Sequence, residues 1–502
     1  VEFKTTPFSH QLAVYEAKRD ALFYALFWEM GLGKSKVILD VASHLHERSQ
    51  IQALVIVAPN SVYKNWIGQE LPAHLATKSI AMAYPKRASR RDSAKRLIFL
   101  DPSFEPNCLR VIAISYDSIC TEQGYEYISK LMKIYDTMLV ADESTAIKTP
   151  SAVRTKRVKS LGKLALRKWI CTGTPVAQSP FDVHSQIDFI CPEFWQNHGL
   201  RSYSAFKNEF GEFTQRRISG GRQFPELQSY RRLDYLQKIL TSISSRLLKE
   251  DSEVKLPPKM YSLRTFELTD DQRSIYDQLK TEFIADMDGG AILEAPLAIV
   301  RLARLQQITS GFVSVDVVTG AGELTLEDDE PVMIVNTERN LRNIVEPDDN
   351  PRLQLLLGVL SEVSHKVIVW CRFRRDVDNV VGALGSRCVR YDGSVSGKDR
   401  EIALDRFRDP SDSAQFFVAN IQAISHGVTL TIAKTMVYYT NSFSLEKRLQ
   451  SEDRFHRIGQ DQSVLIIDLA AEDTVDHHVI DSLRKKFNIA AAVTGDRMRA
   501  WL

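Results

Sequence analysis

The strongest constraint on this chain is the way one apolar segment near its start breaks and another resumes. Ala21 to Phe27 reads ALFYALF, gives way to Glu29-Met30-Gly31-Leu32-Gly33-Lys34-Ser35, and is followed by the apolar-rich Val37 to Ala42. A short apolar run, a glycine pair and a resumed apolar pattern predict strand, loop and helix in that order. Gly31 and Gly33 let the backbone amides on either side of Leu32 turn toward an anion, and the new helix adds its positive end. Lys34 is then placed to reach the β- and γ-phosphates of a nucleotide, and the Ser35 hydroxyl to ligate Mg2+. The general phosphate-loop pattern asks for one more glycine where Trp28 stands.

Two further segments complete a nucleotide-hydrolysing set. Thr137-Met138-Leu139-Val140-Ala141-Asp142-Glu143 is an apolar strand ending in adjacent carboxylates, just where open α/β sheets bind ligands. Asp142 suits the magnesium, and Glu143 suits the orientation and deprotonation of an attacking water. Far downstream, QSEDRFHRIGQ (Gln450 to Gln460) carries Arg454 and Arg457 three residues apart. About one helical turn separates them, which predicts that both guanidiniums leave one helix face. Arginine keeps its charge and its planar fork suits phosphate oxygens, so the pair reads as a clamp for charge developing on a γ-phosphoryl group.

Apolar strand candidates recur at Leu54–Val57, Val111–Ile114, Met138–Ala141, Trp169–Cys171, Val367–Trp370, Phe416–Ala419, Met436–Tyr439 and Val464–Ile467. Helical patterns separate them, which predicts an α/β fold with buried parallel sheets. Leu256-Pro257-Pro258 is a stiff break. It divides the chain into residues 1–255 and 256–502. Phe181 to Arg246 reads mostly helical, and Val313 to Val335 reads as a β-hairpin turning at Gly320-Ala321-Gly322, beside the acidic patch Glu327 to Glu330.

Taken together these segments closely resemble the Swi/Snf-type branch of superfamily 2 helicases, from about Pro7 to about Asp476, with the motifs in the family's order. The resemblance implies two tandem RecA-like lobes, with a helical protrusion at about 181–246 and a small β-hairpin embellishment in the second half. WEMGLGKS stands where the family has DEMGLGKT, which also lacks the first glycine. Gln11, in Phe8-Ser9-His10-Gln11, matches the adenine-reading glutamine. Asn60 and Ser61, with Trp66 and Glu70 beyond, resemble the first DNA-contacting motif, and Ser115 belongs to the next. Thr172-Gly173-Thr174-Pro175 matches the segment that links nucleotide state to DNA contact. Arg304-Leu305-Gln306-Gln307-Ile308 resembles the LRQI helix, Arg372 follows the strand that opens the second lobe's motifs, and Tyr391-Asp392-Gly393-Ser394 with Arg400 resembles DGS…R. Ser425-His426-Gly427-Val428-Thr429-Leu430-Thr431 stands for GGVGLNLT, with Gly427 beside the nucleotide and Thr429 toward DNA. Gln450 joins the arginines in lobe two. Ile458-Gly459-Gln460 sets this branch apart from RNA-acting relatives.

Three motifs depart from the family pattern: Ser144-Thr145 replaces Ala-His or Gly-His, His426 replaces a glycine, and Phe443 replaces a tryptophan. The function implied is an ATP- and Mg2+-dependent motor on DNA, duplex preferred and sequence-nonspecific, with protein partners for targeting left unidentified. A static ATP-controlled DNA clamp is the alternative that Ser144-Thr145 keeps open, and an RNA helicase is a weaker one.

Net charge is only +2 over 502 residues, so no global basic field announces nucleic acid. Basic residues cluster instead. Eight fall between Lys148 and Lys168 with no acidic residue among them, and Lys86-Arg87, Arg90-Arg91 and Lys95-Arg96 form a second group. Flanking the presumed DNA motifs, they are expected to meet phosphates, Lys148 first. The six cysteines show no C-x-x-C spacing, which suggests neither zinc nor a redox pair. No apolar run is long enough to span a bilayer, and the opening residues carry no secretory pattern. A cytoplasmic setting is expected, bacterial or viral-host, or a nuclear one in a eukaryote.

Overall fold

The computed structural model describes residues 2–85, 89–217, 223–288, 295–318, 323–327, 330–334, 337–421 and 428–496. In the first half the strands are β1 (Phe23–Trp28), β2 (Ala53–Ala58), β3 (Ser79–Ala83), β4 (Leu109–Ser115), β5 (Thr137–Asp142), β6 (Arg167–Cys171), β7 (Gly211–Arg217), β8 (Gln223–Tyr230) and β9 (Ser244–Leu247). Seven of these form a parallel sheet in the order β3-β4-β2-β5-β6-β1-β9.

The second half adds β10 (Lys259–Phe266), β11 (Phe312–Val318), β12 (Glu323–Glu327), β13 (Glu330–Ile334), β14 (Thr337–Asn343), β15 (Val367–Cys371), β16 (Cys388–Tyr391), β17 (Phe416–Asn420), β18 (Thr435–Tyr438) and β19 (Val464–Ala471). Six of them form a second parallel sheet, β10-β19-β18-β15-β17-β16. The expected fold class, two α/β units with parallel sheets, is what the chain adopts.

Alternation along each strand builds a core on either face of each sheet. Val55 and Val57 of β2 pack with Leu139 and Ala141 of β5 on one side. Leu54 and Ile56 pack with Met138 and Val140 on the other. In the second sheet Ile368 and Trp370 serve one core, while Val367, Val369 and Cys371 serve the opposite one. Among the described residues no helix is long and apolar enough to cross a membrane, and all six cysteines are free.

Three local expectations need correction. Residues 181–246 are not mostly helical, because β7 and β8 pair as an antiparallel hairpin and β9 joins the edge of the first sheet. Phe181 explains the hairpin's seat: its ring lies 6.3 Å from that of Phe213 and 5.5 Å from that of Tyr230. The second-half hairpin is longer than 313–335. β11 pairs with β14 and β12 with β13, and Glu327 stands opposite Glu330. Gly320-Ala321-Gly322 and residues 328–329 lie outside the described residues. Finally, the helix carrying Gln450 spans Leu445–Glu452 and stops there, so Arg454 and Arg457 sit in the turn beyond it rather than on a helix face.

A buried polar cluster fixes that helix. Arg448 bonds Glu452 Oε1 at 2.8 Å and Asp468 Oδ2 at 3.0 Å, and its guanidinium lies 3.6 Å from the Tyr438 ring centroid. Lys259 meets the other oxygen of Glu452 at 2.8 Å. Breaking such a buried set from one side leaves a charge without its partner. Arg448→Met is expected to destabilise the fold by about 3 kcal/mol, read as a lower denaturation midpoint in urea.

Leu256-Pro257-Pro258 lies between β9 and β10, the last strand of one sheet and the first of the other. A second connection runs through the final helix, Val475–Thr494. Its start packs Val475, Val479 and Leu483 against Tyr276 and Leu305. Its end places Val493 in the first half's core with Leu236, Ile239 and Leu240.

Candidate nucleotide site between the two sheets

β1, β5 and β6 are neighbours and end at one edge of the first sheet. Leu26 and Asp142 both flank Cys171 of β6 in register. That edge therefore gathers the glycine loop, the two carboxylates and Thr172.

Gly31 and Gly33 both adopt positive φ, +87° and +75°, a region that glycine enters without strain. A Cβ at Gly33 would stand 2.1 Å from Gln11 Nε2, so a side chain there would displace Gln11. Gln11 is buried and braces the loop. Its Nε2 donates to the Leu32 carbonyl at 3.1 Å and its Oε1 accepts from the Phe8 N–H at 2.9 Å. Both ends of the amide expected to read adenine are thus engaged with the chain itself. Lys34 leads the helix Lys34–Glu47, and its Nζ donates to the carbonyls of Trp28 (2.9 Å) and Glu29 (3.2 Å).

Asp142 is held from several directions. Trp66 Nε1 donates to its Oδ2 at 2.8 Å, Cys171 Sγ and the Glu143 N–H donate to Oδ1 at 3.1 and 3.0 Å, and Tyr116 OH donates to its carbonyl at 2.8 Å. Glu143 turns off the strand with φ +48° and accepts from Thr172 Oγ1 at 3.0 Å. Burial, and next the adjacent Asp142, push its carboxyl up to about 7. Ser144 Oγ is spent on Gln186 at 2.7 Å, and Thr145 Oγ1 lies 3.5 Å from Thr172 Oγ1.

A cleft of about 330 Å³ joins the halves. Gly31, Lys34, Ser35, Asp142 and Glu143 line it from one side, and Thr429, Asp453, Arg454 and Arg457 from the other. Arg454 is 5% exposed, burial lowers its affinity for a proton, and its Nε has no hydrogen-bond partner among the described residues. A buried guanidinium with an unused donor suits an anion. Arg457 donates to Thr429 Oγ1 at 3.0 Å. Gln460 pins the loop that carries both arginines, its Nε2 donating to the carbonyls of Thr431, Ala433 and Phe455 at 3.0–3.1 Å.

Trp66 and Glu70 also line this cleft, although the motif they resemble is a DNA-contacting one. Ser35 hydrogen-bonds to Glu70, whose carboxyl is raised by burial and then by Asp142. Their spacing of four residues, one helical face, was the available signal. Among the described residues no three His, Cys or carboxylate side chains form a metal cage. The oxygen donors Ser35, Asp142 and Glu70 suit instead a hard cation that keeps waters and borrows ligands from a nucleotide.

Other expected residues fall elsewhere. Gln450 donates to Glu446 at 3.1 Å and lines an adjoining cavity with Glu29, Glu143 and Arg246 rather than the arginine cleft. Ser115 is fully buried; its hydroxyl caps the helix Tyr116–Ile119 and bonds Ser118 Oγ at 2.9 Å. Thr429, assigned to DNA, braces Arg457. Arg372 bonds Gln306 and lies 5.1 Å from the Phe373 ring. Gly427 and Lys86-Arg87 lie outside the described residues, and Ser61 lines none of the three cavities around Glu143. Asn60 bonds Asp117 and, with Lys148, Arg154 and Lys447, lines a cavity of about 450 Å³ that also reaches Glu143. Within the basic run, Arg157 is paired with Glu122, Lys159 with Asp188, and Arg167 with Gln50.

A phosphate loop and paired carboxylates on one parallel sheet, facing arginines from a second, define a two-lobed P-loop nucleotide-binding class. Residues 18–309 match the SNF2-related domain and residues 351–459 the helicase conserved C-terminal domain; the chain belongs to the SNF2-related family. It is similar to chromodomain-helicase-DNA-binding protein 6 of Rattus norvegicus, 25% identical over 93% of this chain and 17% of that one. It is also similar to the ISWI chromatin-remodeling complex ATPase CHR11 of Arabidopsis thaliana, 23% identical over 93% of this chain and 40% of the relative. The chain therefore spans well under half the length of these curated relatives. A solved structure of a Sulfolobus solfataricus SWI2/SNF2 ATPase core in complex with dsDNA aligns over 98% of this chain and 95% of that one, at 19% identity and a TM-score of 0.40.

Proposed function

We propose that this chain is the ATPase motor of a translocase that tracks along duplex DNA without reading its sequence. Two units, 1–255 and 256–502, act as the two jaws of the motor. The observation that carries the reading is the single cleft in which Lys34, Ser35, Asp142 and Glu143 face Arg454 and Arg457. Bound ATP with Mg2+ supplies a γ-phosphoryl group made ready for in-line attack. Lys34 leaves its loop carbonyls for the phosphates, Ser35 and Asp142 hold the cation, and Glu143 takes the proton of the attacking water. Arg454 and Arg457 neutralise charge from the opposite jaw.

Coupling to DNA follows from the position of Glu143, which borders both the arginine cleft and the cavity lined by Asn60, Lys148 and Arg154. Duplex phosphates at Lys148 and Arg154 act next to the catalytic base. The Thr145–Thr172 approach supports a motor over a static clamp, because it joins the carboxylate turn to the Thr172-Gly173-Thr174 segment despite the missing histidine. One of the similar relatives is named a chromatin-remodeling complex ATPase, so nucleoprotein is one candidate track and a nuclear or cytoplasmic setting follows from the host. Lys34→Ala is the direct test. Duplex-stimulated ATP turnover is expected to vanish, together with displacement of a triplex-forming strand, while the variant stays folded. Near-normal turnover in that variant overturns the nucleotide site.

A further inference from the structure

Lys249 stands just after β9, in the short turn Lys249–Asp251, outside every segment assigned above. It is only 7% exposed, and its ammonium crosses to the second half. Nζ donates to Asp453 Oδ1 at 2.6 Å and to the His456 carbonyl at 2.9 Å. Those acceptors bracket Arg454, and His456 immediately precedes Arg457. On the near side the Lys249 N–H donates to Glu29 Oε2 at 2.7 Å, and the Glu29 carbonyl accepts from Lys34 at 3.2 Å. One chain of contacts thus runs from the phosphate lysine through Glu29 and Lys249 to the arginine turn. His456 adds a strut to the connection between the sheets, its Nε2 donating to the Pro257 carbonyl at 2.6 Å.

An ammonium buried at a junction is costly unless well paired, and an apolar side chain of the same length would serve packing better. Its two acceptors, the Asp453 carboxylate and the His456 carbonyl, lie on either side of Arg454 and add a tie from the first half to the turn's own backbone bonds, from the Arg454 N–H to the Ser451 carbonyl and from the Leu430 N–H to the Arg454 carbonyl. The turn has no helix to hold it, since the preceding helix ends at Glu452. We propose that Lys249 is a positioning residue for Arg454 and Arg457, setting their reach across the cleft and tying it to the state of the phosphate loop. The inference rests on the cleft reading proposed above. Lys249 touches no reacting atom; it acts through the arginines.

The test is Lys249→Met, which keeps the stem and removes the charge, with Lys34→Ala in parallel. The duplex-stimulated kcat is expected to fall roughly 10–100-fold, the span of one coupled contact in a network, while the KM for ATP and DNA-free nucleotide affinity hold. Lys249→Arg is expected to recover much of the rate, because its fork reaches the same two oxygens. In single-turnover assays Lys249→Met is expected to add less than about twofold to the loss in Arg457→Ala, as for residues acting as one unit. An unchanged kcat, a parallel loss of nucleotide affinity, or a fully multiplicative loss on top of Arg457→Ala overturns the proposal. Should Lys249→Met fail to fold, Asp453→Asn carries the same expected split between kcat and KM, and its absence overturns the proposal equally. Turnover surviving in Lys34→Ala sinks the cleft reading itself, whereas a dead Lys34→Ala beside a fully active Lys249→Met sinks only this inference.

Discussion

Arg457→Ala is expected to lower the duplex-stimulated ATPase rate by about 10³–10⁵-fold, the range a transition-state arginine supplies. Arg457 reaches the cleft from the second half and is steadied by Thr429, so its contribution depends on the two halves being together. Nucleotide affinity without DNA is expected to change little, since Lys34 and Ser35 are untouched. Arg457→Lys is not expected to rescue, because an ammonium lacks the planar two-point donor geometry. The measurement is a paired one: ATPase at saturating duplex, and nucleotide binding without it. Equal losses in both would make Arg457 a structural residue of the second half.

Glu143→Gln is expected to bind ATP normally and to hydrolyse it about 10²–10⁴-fold more slowly, the usual worth of a positioned base. Burial beside Asp142 pushes the Glu143 carboxyl up to about 7, which raises its appetite for a proton at neutral pH. Glutamine keeps the shape, can still accept from Thr172, and enters the left-handed backbone region at the same cost as glutamate. Single-turnover hydrolysis set against equilibrium nucleotide binding separates the two roles. Loss of affinity in place of loss of rate would assign Glu143 to the architecture of the turn.

What could be read from sequence was whatever depends on local spacing. Central strands such as β2 and β5 are apolar on both faces and declare themselves as continuous runs. The edge strand β10, written KMYSLRTF, has residues exposed on both faces and shows no such run. β3 and β16 are short and lie at the edges of their sheets. Lys34 was placed from sequence by the glycine loop that opens its helix, and Asp142 and Glu143 by the end of an apolar strand. Ser115 could not be told apart from a cap by sequence, because a serine that ends a strand serves equally as a helix cap. The contacts of Thr429 with Arg457 and of Glu70 with Ser35 left no trace in local spacing, because only the folded chain brings these residues together. Lys249 gave no signal, as its partners lie some two hundred residues away.

The final helix carries a mechanical consequence. Twenty residues of helix make a rod of about 30 Å, seated in the second half at Val475 and in the first at Val493. Beyond it, the Asp496 carboxylate grips Arg246 at 2.6 Å, and the same guanidinium holds the carbonyls of Phe27 and Gly173 at 2.7 and 3.0 Å. The chain thus crosses between its halves twice, at the diproline and along this rod. Any change in how the halves sit together therefore has to be taken up at both crossings at once. One of the two ends at Arg246, whose guanidinium touches the carbonyls of Phe27 in β1 and Gly173, so the far end of the rod is anchored at the sheet edge that carries the phosphate loop.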